Sequence, residues 1–105
     1  MLTAVSEGEV EDIPTKLGDH VIFPCFSADT GVEWRCSNDK YKDSLIYSHG
    51  SILLYATEFA ITIASGWYNL TMTATALNVT ECDCFEASGG DIIKQYRTTF
   101  LTGKV

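Results

Sequence analysis

Four cysteines carry the reactive chemistry of this 105-residue chain: Cys25, Cys36, Cys82 and Cys84. Thiolates can bind zinc, exchange disulfides or sit paired as inert bridges. A zinc site asks for four thiolate or imidazole ligands at knuckle spacing. The two histidines, His20 and His49, both lie away from the cysteine motif Cys82-Asp83-Cys84. A Ser-His-Asp hydrolase could be assembled on paper from the serines and either histidine, but no nucleophile elbow or Cys-His signature supports one. The favoured chemistry is therefore structural: two disulfides, no metal, no cofactor and no catalysis. Four cysteines allow three full pairings.

The elements that must position these thiols are strands. Side chains two apart in a strand share a face, so an extended Glu81–Ala87 aims Cys82 and Cys84 the same way. His20–Cys25 puts Val21, Phe23 and Cys25 on one face. Val32–Cys36 sets Val32, Trp34 and Cys36 inward, with Glu33 and Arg35 outward. Leu45–Tyr47 is a short strand, and Ile52–Tyr55 with Phe59–Ile63 supplies one or two more. In Trp67–Thr75, Tyr68, Leu70 and Met72 alternate with Asn69, Thr71 and Thr73. Ile92–Val105 is the last strand. Turn signals fall between them at short, regular intervals, and no stretch reads as a convincing helix. The pattern predicts an all-β, two-sheet antiparallel sandwich or barrel. An acidic lead-in, 1–13, includes an early edge strand near Val10–Ile13, and 14–105 form one domain.

Composition excludes several classes. Hydrophobic residues make up 46% of the chain, too many for a disordered tail. The formal charge of −7 leaves no basic footprint for nucleic acid or an anionic membrane. No apolar run approaches the about 20 residues of a membrane span, so direct membrane insertion by this segment is not expected. The first residues lack the basic and apolar regions of a signal peptide. Two sequons, Asn69-Leu70-Thr71 and Asn78-Val79-Thr80, accompany the even cysteine count. Together they point to an extracellular setting, as a secreted domain or an ectodomain whose transmembrane segment lies outside this chain.

From Pro14 to Val105 the sequence resembles an immunoglobulin V-set domain. Gly18-Asp19-His20-Val21-Ile22-Phe23-Pro24-Cys25 resembles strand B with its first core cysteine. Trp34 follows Cys25 by nine residues, at the place of the strand C tryptophan. Leu45-Ile46-Tyr47 is similar to strand C′, and Asn69–Thr73 to strand E. Cys84 takes the place of the second core cysteine, on strand F. Its separation from Cys25 is a little short, so an intermediate set with a reduced C″ region is the alternative.

The departures also carry information. Asp-x-Gly-x-Tyr-x-Cys usually leads into strand F; here Asn78, Thr80 and Cys82 replace the acid, glycine and tyrosine. The tyrosine-corner hydrogen bond is thus expected to be absent. No arginine lies between Arg35 and Arg97, so neither is the usual Arg–Asp pair expected. The last strand lacks Phe-Gly-x-Gly, which argues against a rearranging antigen receptor.

The resemblance implies a Cys25–Cys84 bridge across the core, packed on Trp34, with Val21, Phe23, Leu70 and Met72 around it. It also makes strands C and F antiparallel neighbours. If Trp34 lies opposite Cys84, then Cys36 lies opposite Cys82, since opposed residues keep a constant numerical sum. A second bridge, Cys36–Cys82, follows as a brace in place of the tyrosine corner.

The family commonly recognises partners with the outer face of its G-F-C-C′ sheet. Projected by parity, that face would show Glu33, Arg35, Tyr47, Asp83, Phe85 and Tyr96. The loops Ser27–Gly31 and Ser88–Asp91 are second candidates. Asn69 and Asn78 would be glycan acceptors. The implied function is a cell-surface immune-type receptor or ligand ectodomain that binds another cell-surface or secreted protein. A homophilic adhesion module, forming a homodimer, and a secreted or viral immune decoy are the alternatives.

Overall fold

The computed structural model describes residues 10–28, 31–38, 42–55, 57–75, 78–87 and 90–100. The acidic lead-in before Val10 and the loop tips Asp29–Thr30 and Ser88–Gly89 lie outside the described residues. Nine strands follow in order: β1 (Glu11–Thr15), β2 (His20–Phe23), β3 (Val32–Ser37), β4 (Ser44–Ser48), β5 (Ser51–Ile52), β6 (Phe59–Ala64), β7 (Trp67–Thr73), β8 (Glu81–Glu86) and β9 (Ile92–Phe100). One sheet has the order β1-β9-β8-β3-β4-β5 and the other β2-β7-β6. All neighbours are antiparallel except β1, which runs parallel to β9 at the edge. Pro14 sits in that edge strand, where its missing N–H is tolerated. The architecture is the all-β two-sheet sandwich that the alternation predicts.

Strand β3 shows why these residues choose strand. Val32, Trp34 and Cys36 are buried, while Glu33 and Arg35 stay partly exposed, a period of two that only an extended chain supports. β8 repeats the pattern with Cys82 and Cys84 buried. Two hairpins close on paired positive-φ residues: His49–Gly50 between β4 and β5, and Ser65–Gly66 between β6 and β7. Two-residue turns of this hand match the right-handed twist of the flanking strands. At Gly66 an added Cβ would also lie 2.8 Å from the Phe26 ring, so glycine is required there twice over.

The core centres on Trp34, Phe23 and Tyr96. Ring centroids lie 6.2 Å apart for Phe23–Trp34, 5.3 Å for Phe23–Tyr96 and 6.2 Å for Trp34–Tyr96. Val21, Leu70 and Met72 pack in the same cluster. The Trp34 indole N–H donates to the Tyr68 carbonyl at 3.0 Å, so the largest buried ring leaves no orphaned donor.

Cys25 and Cys84 form a bridge with Cα atoms 6.6 Å apart. It ties the segment after β2 in one sheet to β8 in the other. Cys36 and Cys82 form a second bridge within the large sheet, with Cα atoms 4.1 Å apart. The β3–β8 register pairs Trp34 with Cys84 and Cys36 with Cys82.

Two residues expected outward are buried. Tyr47 is 2% exposed because β4 carries a bulge: Trp34 faces Tyr47, yet Arg35 faces Leu45. One extra residue in β4 reverses the parity, so Tyr47 joins Trp34 on the core side and Leu45 takes the outer position. Tyr96 is also 2% exposed, because it pairs with the inward Cys82. Its hydroxyl donates to the Pro24 carbonyl, and burial pushes the phenol pKa up to about 12.

A second brace stands just before β8. The Thr80 N–H donates to Thr98 Oγ1 at 2.9 Å, and the Thr98 N–H donates to the Thr80 carbonyl at 2.9 Å. Asn38 Nδ2 donates to Thr80 Oγ1 at 3.0 Å. Both threonines are buried.

Two stability outcomes follow. Thr98→Val keeps shape but leaves the buried Thr80 N–H without its acceptor, which should cost about 1–3 kcal/mol in urea unfolding. A loss below a few tenths of a kcal/mol would mean that the clamp contributes nothing. Replacing Cys36 and Cys82 by alanine should cost about 3 kcal/mol rather than the about 4 kcal/mol of an isolated 46-residue loop. The Cys25–Cys84 bridge already restrains the unfolded chain, so the second bridge closes only segments 25–36 and 82–84. Unfolding of the double variant with the first bridge intact measures the difference.

Candidate functional site

The large sheet turns its second face to solvent. Strand β3 supplies Glu33 and Arg35, β8 supplies Asp83 and Phe85, and β9 supplies Gln95 and Arg97. Leu45 of β4 lies opposite Arg35. Of the six residues projected onto this face, Glu33, Arg35, Asp83 and Phe85 are there, partly exposed; Tyr47 and Tyr96 are in the core. Gln95, Arg97 and Leu45 are the members that strand parity alone missed. The β8–β9 register places Gln95 opposite Asp83 and Arg97 opposite Glu81. The bulge that brings Leu45 out leaves one trace in the sequence, the consecutive apolar pair Ile46-Tyr47.

Charges on this face are unevenly satisfied. Arg97 Nε lies 3.2 Å from Asp12 Oδ1 at the exposed β1–β9 edge, while Lys94 Nζ, 3.3 Å from Glu11 Oε1, stands on the opposite side of that edge, since Lys94 pairs with the inward Cys84. Such surface pairs contribute little to stability. Ser48 Oγ donates to Glu33 Oε2 at 3.2 Å. Arg35, central on the face, is in no ion pair among the described residues.

Asp83 is half-buried. Burial, then repulsion from the Glu81 carboxylate, pushes its pKa up to about 6. A hydrogen bond from Gln95 Nε2 to Oδ1, at 3.4 Å, pulls it back down, and the Asp43 carboxylate adds a smaller push upward.

At the end of the sandwich where β2 finishes and β7 begins, Phe26 and Trp67 stack edge to face at 5.3 Å. They are 46% and 45% exposed. They line a cleft of about 400 Å³ with Pro24, Ile93, Lys94 and Tyr96. Neither aromatic was singled out by the sequence pattern.

The sequons occupy different settings. Asn69 lies on β7, and its Oδ1 accepts from the Cys25 N–H at 3.4 Å. Asn78 lies before β8, partly exposed, and its carbonyl accepts from Thr80 Oγ1 at 3.4 Å.

No protein-family model matches the chain, and no curated protein matches it in sequence. Solved structures do. The extracellular fragment, with stalk region, of novel immune-type receptor 11 from Ictalurus punctatus superposes with a TM-score of 0.67 at 13% identity, covering 92% of this chain and 89% of that one. The ZIG-8–RIG-5 IG1–IG1 heterodimer gives 0.63 at 8% identity, over 94% and 89%. The first domain of Duf (Kirre) gives 0.59 at 15% identity, over 91% and 94%. These are immunoglobulin-type, V-like domains. With its two bridged sheets and buried Trp34, the present chain has the V-like immunoglobulin fold.

The raised Asp83 pKa has a definite sign. A carboxyl whose folded pKa exceeds its unfolded value adds stability below about pH 4, and that stability is lost as pH rises through about 6. Asp83→Asn should therefore stabilise the domain at pH 7.5 by about 1 kcal/mol, a figure discounted because the group is half-exposed. The gain should shrink toward zero at pH 4. Thermal melts of both proteins across that range check it, and a gain independent of pH would contradict it.

Proposed function

We propose that this domain is the extracellular recognition module of a cell-surface immune-type receptor or its ligand, and that the outer face of the large sheet meets the partner protein. The observation that carries the reading is the face itself. An arginine in no ion pair among the described residues and a partly exposed phenylalanine sit among carboxylates on paired strands. Arginine and aromatic residues are the types enriched where proteins bind proteins. Strands held by ladder bonds and two bridges present them with little ordering cost. The structural likeness to a novel immune-type receptor's extracellular fragment supports the class of molecule. The sequons at Asn69 and Asn78 belong to the same reading as glycan acceptors, and no step of it involves catalysis.

Homophilic adhesion is the second reading, and one observation favours keeping it. The first immunoglobulin domain of ZIG-8, which superposes with a TM-score of 0.62, forms a homodimer in its crystal structure. In this reading the partner is a second copy of the chain.

Arg35→Glu and Phe85→Asp test both. Labelled domain should bind cells that display the partner, and each variant should weaken binding at least tenfold, or about 1.4 kcal/mol. Both bridges should stay intact. Sedimentation distinguishes the readings, since a concentration-dependent dimer lost in the same variants means a second copy. Binding that survives both substitutions but is lost on Trp67→Asp would move the interface to the loop end.

A further inference from the structure

Among the described residues, β1, β5, β2 and β6 form the edges of the two sheets. Three of them are guarded against pairing with another strand. β1 carries Glu11, Asp12 and Pro14, and β5 is only Ser51–Ile52. β2 is short and runs into Pro24, which has no N–H. Charge, proline and shortness are the usual protections of a sheet edge. β6 has none of them. Phe59-Ala60-Ile61-Thr62-Ile63-Ala64 holds no charge, no proline and no register shift against β7. Ala60, Thr62, Ile63 and Ala64 are exposed. In a chain of net charge −7, this is a neutral and open edge.

The ladder shows which backbone groups this edge offers. The Thr73 N–H donates to the Glu58 carbonyl at 2.9 Å. Hydrogen-bonded positions alternate along an antiparallel pair, so Ala60, Thr62 and Ala64 also turn their backbone groups to β7. Phe59, Ile61 and Ile63 turn theirs the other way. The Phe59 N–H is taken by the Tyr55 carbonyl at 3.1 Å. The N–H and C=O groups of Ile61 and Ile63 meet no paired strand among the described residues.

We propose that β6 pairs with β6 of a second copy, antiparallel about a two-fold axis through Thr62, joining two three-stranded sheets into one continuous sheet. The occupant follows from the register. With Thr62 opposite the partner's Thr62, Ile61 lies opposite the partner's Ile63, and Ile63 opposite the partner's Ile61. Each such pair exchanges both N–H···O=C bonds, so no open group of Ile61 or Ile63 is left over on either copy. An axis through Ile61 would instead oppose Ile63 to Phe59, whose N–H is already engaged. Ala60 faces the partner's Ala64, so the outer side of the seam carries only alanine and threonine, which neither clash nor repel. On the inner side, Ile63 and the partner's Ile61 meet beside a cleft of about 320 Å³ that Ile63 lines with Val32, Tyr47 and Tyr68. The same edge is used on both copies, so the assembly closes at a dimer. A contact this narrow belongs to the weak, transient class of interface. It gives the second-copy reading a surface apart from the outer face of the large sheet, and it does not depend on that face.

Sedimentation of the domain alone, from micromolar to millimolar concentration, should show a monomer–dimer equilibrium. Added salt should strengthen it, because salt screens the repulsion between two chains of charge −7 while the seam holds no ion pair to weaken. Thr62→Lys and Thr62→Glu each set like charges directly opposite one another, and each should weaken the dimer about fivefold or more. Mixing the two variants should restore pairing, since unlike charges then face each other. Ile63→Pro removes an edge donor but no bond to β7, and it should weaken the dimer as well. Thr62 is exposed, so its variants should keep both bridges and the monomer's melting temperature. Arg35→Glu and Phe85→Asp should leave the equilibrium unchanged. A monomer at every concentration overturns the inference and leaves binding of a different protein by the large sheet standing. A dimer that survives the Thr62 and Ile63 variants, or one lost in Arg35→Glu instead, also overturns it, and the latter moves the second copy to the large sheet.

Discussion

Cys82 and Cys84 share one face of β8, and both must find partners on the core side. That constraint organises the domain. Cys84 reaches across to Cys25 in the other sheet, and Cys82 meets Cys36 on the adjacent strand. The second bridge is available only if β3 and β8 are antiparallel neighbours in one register, with Trp34 opposite Cys84. A slip of β3 by one residue would turn Trp34 and Cys36 away from the core and leave Cys82 without its partner. The two bridges and the tryptophan therefore specify one another, and the alternatives for pairing these strands are removed together.

The same register distributes labour on the neighbouring strand. Tyr96 faces Cys82, so its ring enters the core beside Phe23 and Trp34, and its hydroxyl reaches the Pro24 carbonyl. A tyrosine thus ties β9 to the end of β2, although the customary corner tyrosine position is taken by Cys82. The connection into β8 is held differently, by the reciprocal Thr80–Thr98 hydrogen bonds. Backbone groups that would otherwise be buried without partners are satisfied there by a threonine hydroxyl and a carbonyl.

Most of the fold was legible because it rests on period-two alternation and on cysteine spacing. Val32–Cys36 and Glu81–Glu86 alternate cleanly, and their burial follows the pattern. The outer face was less legible, for two distinct reasons. Nothing in the sequence of β9 sets its register against β8, and the Cys82–Tyr96 pair turns Tyr96 inward and its neighbours Gln95 and Arg97 outward. In β4 parity itself fails, because a bulge inserts one residue between the partners of Trp34 and Arg35. Ile46 and Tyr47 are consecutive yet both buried, which no uniform strand allows on a half-solvated sheet. The apolar pair Ile46-Tyr47 was the available trace of that bulge. Phe26 and Trp67 were missed because exposure at the end of a sandwich depends on how the turns close, which alternation does not encode.

The outer face holds arrangements that folding alone does not favour. Burial and the Glu81 carboxylate both disfavour the charged form of Asp83, and a serine or threonine there would avoid that cost. Among the described residues, Gln95 keeps a buried oxygen without a hydrogen-bond partner, and Arg35 is in no ion pair. In the core, by contrast, the Trp34, Tyr96, Thr80 and Thr98 polar groups are matched. Local rules broken together on one face, while they are obeyed elsewhere, mark the place where the sequence answers to something other than stability. The two faces of one sheet thus differ in how fully their polar groups are paired among the described residues.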